Sequence, residues 1–443
     1  MKIPGSVTRR AFLRRAAGTA GLFTIVPRHV LGAGQTPPSE TLNVAGIGAG
    51  GQAMYDLGQV SQGANLVAIA DVDDVRAANA YQRWPDARKY KDFRVLLEKE
   101  GNDIDAVVVA TPDHVHAVVA MAAMQLGKHV YVEKPMAHDI RETRALVAAA
   151  RRYKVVTQMG NQGHSMRGVY QLKEWLDQGV IGAVTEVRCW TNRPSWPQGI
   201  ERPSDTPAVP ATLDWNLWLG PAPARPYHPA YCPRNWRGWW DFGEGALGDM
   251  GCHVLDPAFY ALELGAPVRI SAETSGVNAE TGPNSSVIRF EFPARGDKPP
   301  VTLTWHDGGN LPPRPEDVPP EERIGDNEGG SLFIGEKGMI SAGTYGMGLR
   351  LLPKALADQH ERPKLDRERS KGHQLDWVEA CKTGEPTVSH FDYAGPLTEL
   401  VLLGVIAMRA SGPVTWDAAN MVFPGTPDAD RFLTRDYREG WTL

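Results

Sequence analysis

The stretch "GDMGCHVLD" places Asp249, Cys252, His253 and Asp256 within eight positions. In a helix, Asp249 and His253 would share one face, since residues four apart lie one above the other. Three kinds of chemistry are compatible with that pattern: metal binding, proton transfer, or a helix start with Asp249 as its cap. Zinc needs three or four converging ligands, and no second cluster of ligand-type residues occurs elsewhere in the chain, so no metal is expected. Histidine, with an unperturbed pKa of ~6.5, suits a general base near neutral pH.

A second constellation lies far upstream. Gly46, Gly48 and Gly51 form GxGxxG within "AGIGAGGQA", after a strand pattern and before a helical one. That context is what gives the motif meaning. The turn Gly46, Gly48, Ala49, Gly50, Gly51 lets backbone N–H groups approach a pyrophosphate at a helix N-terminus. Asp71 ends the next strand, 25 residues after Gly46. An acid there accepts hydrogen bonds from ribose hydroxyls, which favours NAD over NADP. Arg76 is the nearest cation that could meet a 2′-phosphate.

Around these residues the chain alternates. "LNVAGIG", "NLVAIADVD", "DAVVVATP", "HVYVEKP" and "VVTQMG" are short apolar runs, separated by helical patterns such as "HAVVAMAAMQLG" and "ETRALVAAARRY". Alternation of this kind argues for a doubly wound parallel sheet over residues 42–160. After that the texture changes. "LKEWLDQGVIG" reads as a helix ending in glycine. "AVTEVRCWTNR", "VRISAETSGV", "SSVIRFEFP" and "PVTLTWHDG" alternate apolar and polar residues, and "SLFIGEKGMISAG" reads as a hairpin. An antiparallel sheet with one polar face is expected over residues 161–443. Pro-rich loops interrupt it at Pro194–Arg237 and Leu311–Glu322, and helices are expected at His373–Gly384 and Leu397–Ala410.

The first 34 residues carry Lys2, Arg9, Arg10, Arg14, Arg15 and Arg28 and no acid. "TRRAFLR", the apolar run Ala16–Pro27 and the small residues Gly32, Ala33 and Gly34 read as a twin-arginine export signal, followed by a Pro-rich linker to residue 41. Export to the periplasm is expected. Without those six residues, 41 basic side chains face 52 acidic ones, a net charge of −11. Such a protein has no general attraction to nucleic acid or anionic lipid. No run of about 18 apolar residues suggests a membrane span. Of the four cysteines, Cys189, Cys232, Cys252 and Cys381, an oxidising destination would permit a pair such as Cys189–Cys232, while buried free thiols are the plainer expectation.

With "GIGAGG", "VAIADVD", "VVVATPDHVH", "GKHVYVEKPMA" and "GEGALGDMGCHVLD" together, the chain resembles the Gfo/Idh/MocA family of oxidoreductases over roughly residues 40–440. The resemblance implies a Rossmann domain followed by an open-faced, mostly antiparallel sheet domain, a nicotinamide cofactor, and sugar or cyclitol substrates. It places Thr111 and Pro112 in the loop beside the nicotinamide, with His116 after it and Glu133 and Lys134 at the end of the fourth strand. Lys134, Asp249 and His253 are implied as catalytic. Some members of the family oxidise a sugar transiently, eliminate and reduce again, so a glycoside-cleaving enzyme is the alternative, ahead of a non-catalytic carbohydrate-binding protein.

For a hydroxyl to be oxidised, a protein group must take its proton. His253 is one candidate. Lys134 is the other, because burial beside an oxidised nicotinamide should depress its pKa. Trp190–Trp240 holds seven of the chain's 13 tryptophans. They could stack on sugar rings or pin a long loop, with Tyr231, Asn235, Trp236 and Arg237 as candidate substrate contacts. His114 and His164 read as loop or surface residues, and Asp256 as structural. An apolar or mixed open sheet face would pair subunits into a homodimer or homotetramer. An exported nicotinamide protein has no free cofactor pool, so a tightly bound NAD is expected.

Overall fold

The computed structural model describes residues 41–365 and 370–443. The expected export signal lies outside the described residues, as does the linker up to residue 40.

Each early apolar run becomes a strand of one parallel sheet. β1 (Leu42–Ile47), α1 (Gln52–Val60), β2 (Ala64–Ala70), α2 (Asp74–Arg83), β3 (Arg88–Tyr90), α3 (Phe93–Glu100), β4 (Ala106–Val109), α4 (Asp113–Gln125), β5 (His129–Val132), α5 (Ile140–Tyr153) and β6 (Thr157–Met159) follow in turn. The strand order is β3-β2-β1-β4-β5-β6, with every pairing parallel. The order reverses between β1 and β4, the crevice where such sheets bind nucleotides. Every residue of β4 is buried, as expected of a strand covered by helices on both faces. The edge strand β3, sequence RKY, has no apolar pattern, and the sequence reading does not anticipate it.

The rest of the chain builds α6 (Arg167–Asp177), β7 (Val184–Thr191), α7 (Trp215–Leu219), α8 (Gly245–Val254), α9 (Asp256–Ala261), β8 (Arg269–Ser275), β9 (Ser285–Phe292), β10 (Val301–His306), β11 (Gly329–Gly335), β12 (Gly338–Ala342), β13 (Arg350–Leu352), α10 (Lys354–Ala357), α11 (His373–Thr383), α12 (Phe391–Arg409) and β14 (Val414–Thr415). The second sheet runs β13-β12-β11-β7-β10-β9-β8-β14. It is antiparallel except where β10 lies parallel to β7. Ile288, Phe290, Phe292, Val301, Leu303 and Trp305 alternate into the core. On the outer face Glu186, Arg188, Arg289 and Glu291 stand in register with Thr302 and Thr304. That face is therefore polar, of the mixed kind. Beside it the loop 311–325 folds Val318 and Ile324 against Trp190, Leu332 and Leu352.

Helix α12 starts earlier than its apolar run suggests, because Phe391 and Ala394 are also buried. It packs on α5, α8, β8 and β9 and so joins both sheets. By length and composition it could cross a membrane (mean hydropathy 1.4), yet 78% of the stretch is buried inside the protein. Helix α11 packs instead on α1 and the first sheet, with Trp377 fully buried. All four cysteines are free, which excludes the Cys189–Cys232 pair.

Candidate active site

A cleft of about 580 Å³ runs from the glycine turn after β1 to the face of α8. At its outer end Gly48 has φ +90°, and a Cβ there would lie 2.5 Å from the carbonyl oxygen of Ala110. Only glycine fits this position. Helix α1 begins with no side-chain cap and no acid in its first turn; of its first N–H groups, that of Met54 reaches only the Gly51 carbonyl, at 3.2 Å. An uncapped helix start is a ready site for an anionic group. Asp71 accepts hydrogen bonds from the backbone N–H of Ala49 (2.8 Å) and Asp73 (2.9 Å). Burial raises its pKa, and those two N–H groups pull the other way. The Arg76 side chain lies along the same turn, its Nε 3.0 Å from where a Cβ of Gly50 would be.

The middle of the cleft is walled by Thr111 and Pro112. His116 lines it too, but both its ring nitrogens face backbone carbonyls, of Pro135 and Thr111, each at 2.8 Å. The side chain thus ties the loop after β4 to the segment after β5. Glu133 turns into the protein. Its Oε1 accepts from Gln162 (2.9 Å) and Tyr131 (3.4 Å). Burial, then the nearby Asp56, raise its pKa well above the usual range. Asp56 itself, on α1, is raised to about 6 by burial.

At the inner end Lys134 Nζ donates to the Asp249 side chain (2.9 Å) and to the Asp249 backbone carbonyl (2.7 Å). Arg237 Nε donates to the same carboxylate at 3.1 Å. Burial, the largest single influence, pulls the Lys134 pKa down, but the charge and hydrogen bond of Asp249 together with Glu133 carry the net shift upward. The lowering expected from burial is present, and with the protein's own groups alone Asp249 and Glu133 together reverse it. Burial alone would raise Asp249. Lys134 and Arg237 hold it well below the usual carboxylate range. His253 is lowered to about 3, by burial first and by the charge of Lys134 second. Its ring packs edge-on against Tyr345, with centroids 5.0 Å apart, and its Nδ1 has no hydrogen-bond partner among the described residues.

Asp249 is not a helix cap. Helix α8 starts four residues before it, after Glu244, and Asp249 sits mid-helix, one turn from His253. Asp256 points elsewhere, to His164 (2.9 Å) and the Tyr393 hydroxyl (2.5 Å), so the acids and histidine of this stretch do not converge. His114 and His164 are both buried rather than on loops or the surface. His114 Nε2 meets the carbonyl of Trp218 at 3.0 Å.

The tryptophan-rich segment divides. Trp215 stacks on Trp218 (4.8 Å), and Tyr231, Trp239 and Phe242 complete a small core. Tyr231 is thus a packing residue, and Asn235 does not line the cleft. Trp236 and Arg237 do, together with Trp196, Trp218 and Arg193. Sequence reasoning missed Asp56, Gln162, Arg193, Tyr345 and Trp441. Only Asp56 left a local signal, as an acid on the otherwise apolar face of the helix after the glycine turn.

Comparison with known proteins follows the same division. Residues 42–161 match a family model described as the oxidoreductase family, NAD-binding Rossmann fold. Residues 168–292 match the C-terminal α/β domain model of that family. The levoglucosan dehydrogenase of Pseudarthrobacter phenanthrenivorans is 29% identical over 211 residues, 48% of this chain and 44% of that protein. The inositol 2-dehydrogenase/D-chiro-inositol 3-dehydrogenase of Lacticaseibacillus casei is 35% identical over 150 residues, 33% of this chain and 43% of that protein. The chain thus spans less than half the length of these curated relatives. Among solved structures, GenD2 from gentamicin A biosynthesis in complex with NAD superposes with a TM-score of 0.59 at 20% identity, over 85% of this chain and 97% of that one. Aldose-aldose oxidoreductase from Caulobacter crescentus gives 0.57 at 18% identity, over 85% and 100%. At such identities these two likenesses concern the fold alone.

Proposed function

The chain belongs to the Gfo/Idh/MocA oxidoreductase family, and from that premise we propose that it oxidises a ring hydroxyl of a sugar, glycoside or cyclitol with NAD as cofactor. The observation that carries this reading is the pairing at the inner end of the cleft. An ammonium, Lys134, is gripped by Asp249 one helical turn from a neutral imidazole, His253, with an unpartnered nitrogen. The uncapped start of α1, the Gly46–Gly51 turn and Asp71 would hold the dinucleotide, and Thr111 and Pro112 would flank its nicotinamide. When bound, the nicotinamide supplies the hydride acceptor.

The protein's own part is proton chemistry. Lys134, held charged, donates a hydrogen bond to the reacting oxygen and stabilises negative charge there. His253, held neutral by burial and by Lys134, no longer sits near the ordinary ~6.5. It is left as the acceptor of the hydroxyl proton because its Nδ1 has no partner among the described residues. Asp249 fixes Lys134 and compensates its charge. Of the two candidate bases, the ion pair favours His253, because a lysine already protonated cannot accept.

The test is direct. Purified protein is given NAD and a panel of aldoses, cyclitols and glycosides, with reduced nicotinamide read by absorbance and products by mass. Lys134→Met should lower kcat/KM by roughly 10²–10⁴ while dinucleotide binding persists. Full activity in that variant would sink the mechanism. Aglycone release without net NADH would assign the transient, cleaving route instead.

Two further proposals accompany this one. Tight retention of NAD is supported by Leu213, Trp218 and Trp441, which line the cleft, and bound dinucleotide in the purified protein would be seen by mass spectrometry. Export by the twin-arginine route rests on residues 1–34 alone; a reporter fused to that segment should reach the periplasm and stay inside when Arg9 and Arg10 are replaced by lysine.

A further inference from the structure

At the inner end of the cleft three cations gather on one carboxylate. Lys134, Arg237 and Arg193 all face Asp249, at 2.9, 3.1 and 3.9 Å. One carboxylate cannot balance three cations. The other acids nearby do not close the gap. Glu133 is turned toward Gln162 and Tyr131, and burial raises its pKa. Asp113 also lines the cleft, but it shares a hydrogen bond with the buried Glu244, and burial raises its pKa. Glu328 reaches Arg193 only at 3.7 Å and is half-exposed at the rim. Among the described residues, Asp249 and Glu328 are thus the two carboxylates in ion-pair reach of the three cations, and Glu328 reaches only Arg193.

The cations are also built as a receptor. The Arg237 guanidinium is held against the Trp236 ring (4.3 Å) and faces Trp196 (5.8 Å). Stacking of that kind fixes the plane of the fork. Its Nε is used on Asp249, and Nη1 reaches the carbonyl of Arg234 only at 3.5 Å. Nη2 has no partner among the described residues. Arg237 and Arg193 both line the cleft and are about three-quarters buried. A neutral sugar would leave this desolvated charge unpaired, whereas an anionic oxygen pair matches a planar fork.

We propose that the natural substrate is an acidic sugar, a ring bearing a carboxylate or a phosphate that Arg237 and Arg193 grip while Lys134 and His253 address a hydroxyl of the same ring. This rests on the functional reading above, which supplies the ring hydroxyl. It deepens that reading by naming the charge of the substrate.

Binding can be read without catalysis. The full chain, with whatever dinucleotide it carries, is titrated with a hexose, the matching hexuronate and the hexose 6-phosphate, following heat or tryptophan fluorescence. The expected result is an anionic sugar bound roughly tenfold or more tighter than the neutral one, with affinity falling as salt rises. Preference for the uronate or for the phosphate identifies which anion is meant. Arg193→Gln should erase most of the preference, weakening the anionic sugar much more than the neutral one, with folding checked by thermal melting. Equal or tighter binding of the neutral hexose overturns the proposal, and so does a preference that survives in both Arg193→Gln and Arg237→Gln. Oxidation of neutral sugars at the same kcat/KM would overturn this inference and leave the oxidoreductase reading intact. Acidic-sugar binding without any NAD-linked turnover would do the reverse.

Discussion

At the residue scale, Lys134 and His253 titrate in opposite directions, and the two shifts together predict a pH profile. Lys134 is held above its ordinary 10.5 because Asp249 and Glu133 together outweigh burial, and His253 is lowered to about 3. Between pH 5 and 9 neither group changes charge. The kcat/KM for oxidation should therefore show no inflection near the ordinary imidazole pKa of ~6.5 and should fall only in strong alkali, as Lys134 loses its proton. Asp249→Asn removes the carboxylate that raises Lys134 most, leaving burial and Arg237, which lower it, against Glu133 alone. The alkaline limb of that variant should move down the pH axis. A wild-type inflection near the imidazole value, or an unmoved limb in Asp249→Asn, would refute this assignment. These side chains were identifiable from their motifs. Their charge states were not, because they depend on Asp249, Arg237 and burial acting together across 115 residues of chain.

Helix α1 carries the next prediction. Asp56 is raised to about 6 by burial, against a reference of 3.8. A raised carboxyl favours the folded state below its unfolded pKa, and that advantage is lost as pH rises through about 6. Asp56→Asn keeps an oxygen to accept from Gln374 (2.8 Å) and Gln52 (3.2 Å) and removes the charge. It should stabilise the protein by on the order of 2 kcal/mol at pH 8 and by little at pH 4, read as the denaturant midpoint. The turn before α1 is less forgiving. Gly48→Ala would drive a methyl into Ala110, and dinucleotide binding, followed by fluorescence, should be lost. Elements with strong periodicity were legible: the core strands of the first sheet, and β7 to β12 of the second. The edge strands β3 and β13 and the two-residue β14 were not, since none carries a pattern of its own and pairing alone makes them strands. Arg193, Tyr345 and Trp441 were invisible for a related reason. Each reaches the cleft from a loop whose path only the tertiary fold determines.

Across the whole molecule, two connections hold the cleft together. Helix α12 presses on α8 so closely that a Cβ at Gly251 would lie 2.7 Å from Val401, leaving no room to move the helix that bears Asp249 and His253. The last described residues then return to the first sheet. Arg435 pairs with Glu142 (2.8 Å) and donates to the carbonyl of His114 (2.6 Å), while Tyr437 donates to the same Glu142 (2.6 Å). Arg435→Ala would strand a buried carboxylate and should cost about 3–5 kcal/mol, seen as a lowered denaturant midpoint. Unchanged stability would mean that Glu142 finds another partner.

The path of this returning segment bears on how the protein is made. Arg94 donates to the carbonyl of Gly440 across 346 positions of sequence, and Trp441 stands in the wall of the cleft. A nascent chain can assemble the parallel sheet while most of the protein is still unsynthesised, but that wall stays missing until residue 441 has emerged from the ribosome. The order of translation thus becomes an order of closure. The dinucleotide turn forms early and open, and the enclosure that would retain a cofactor arrives last.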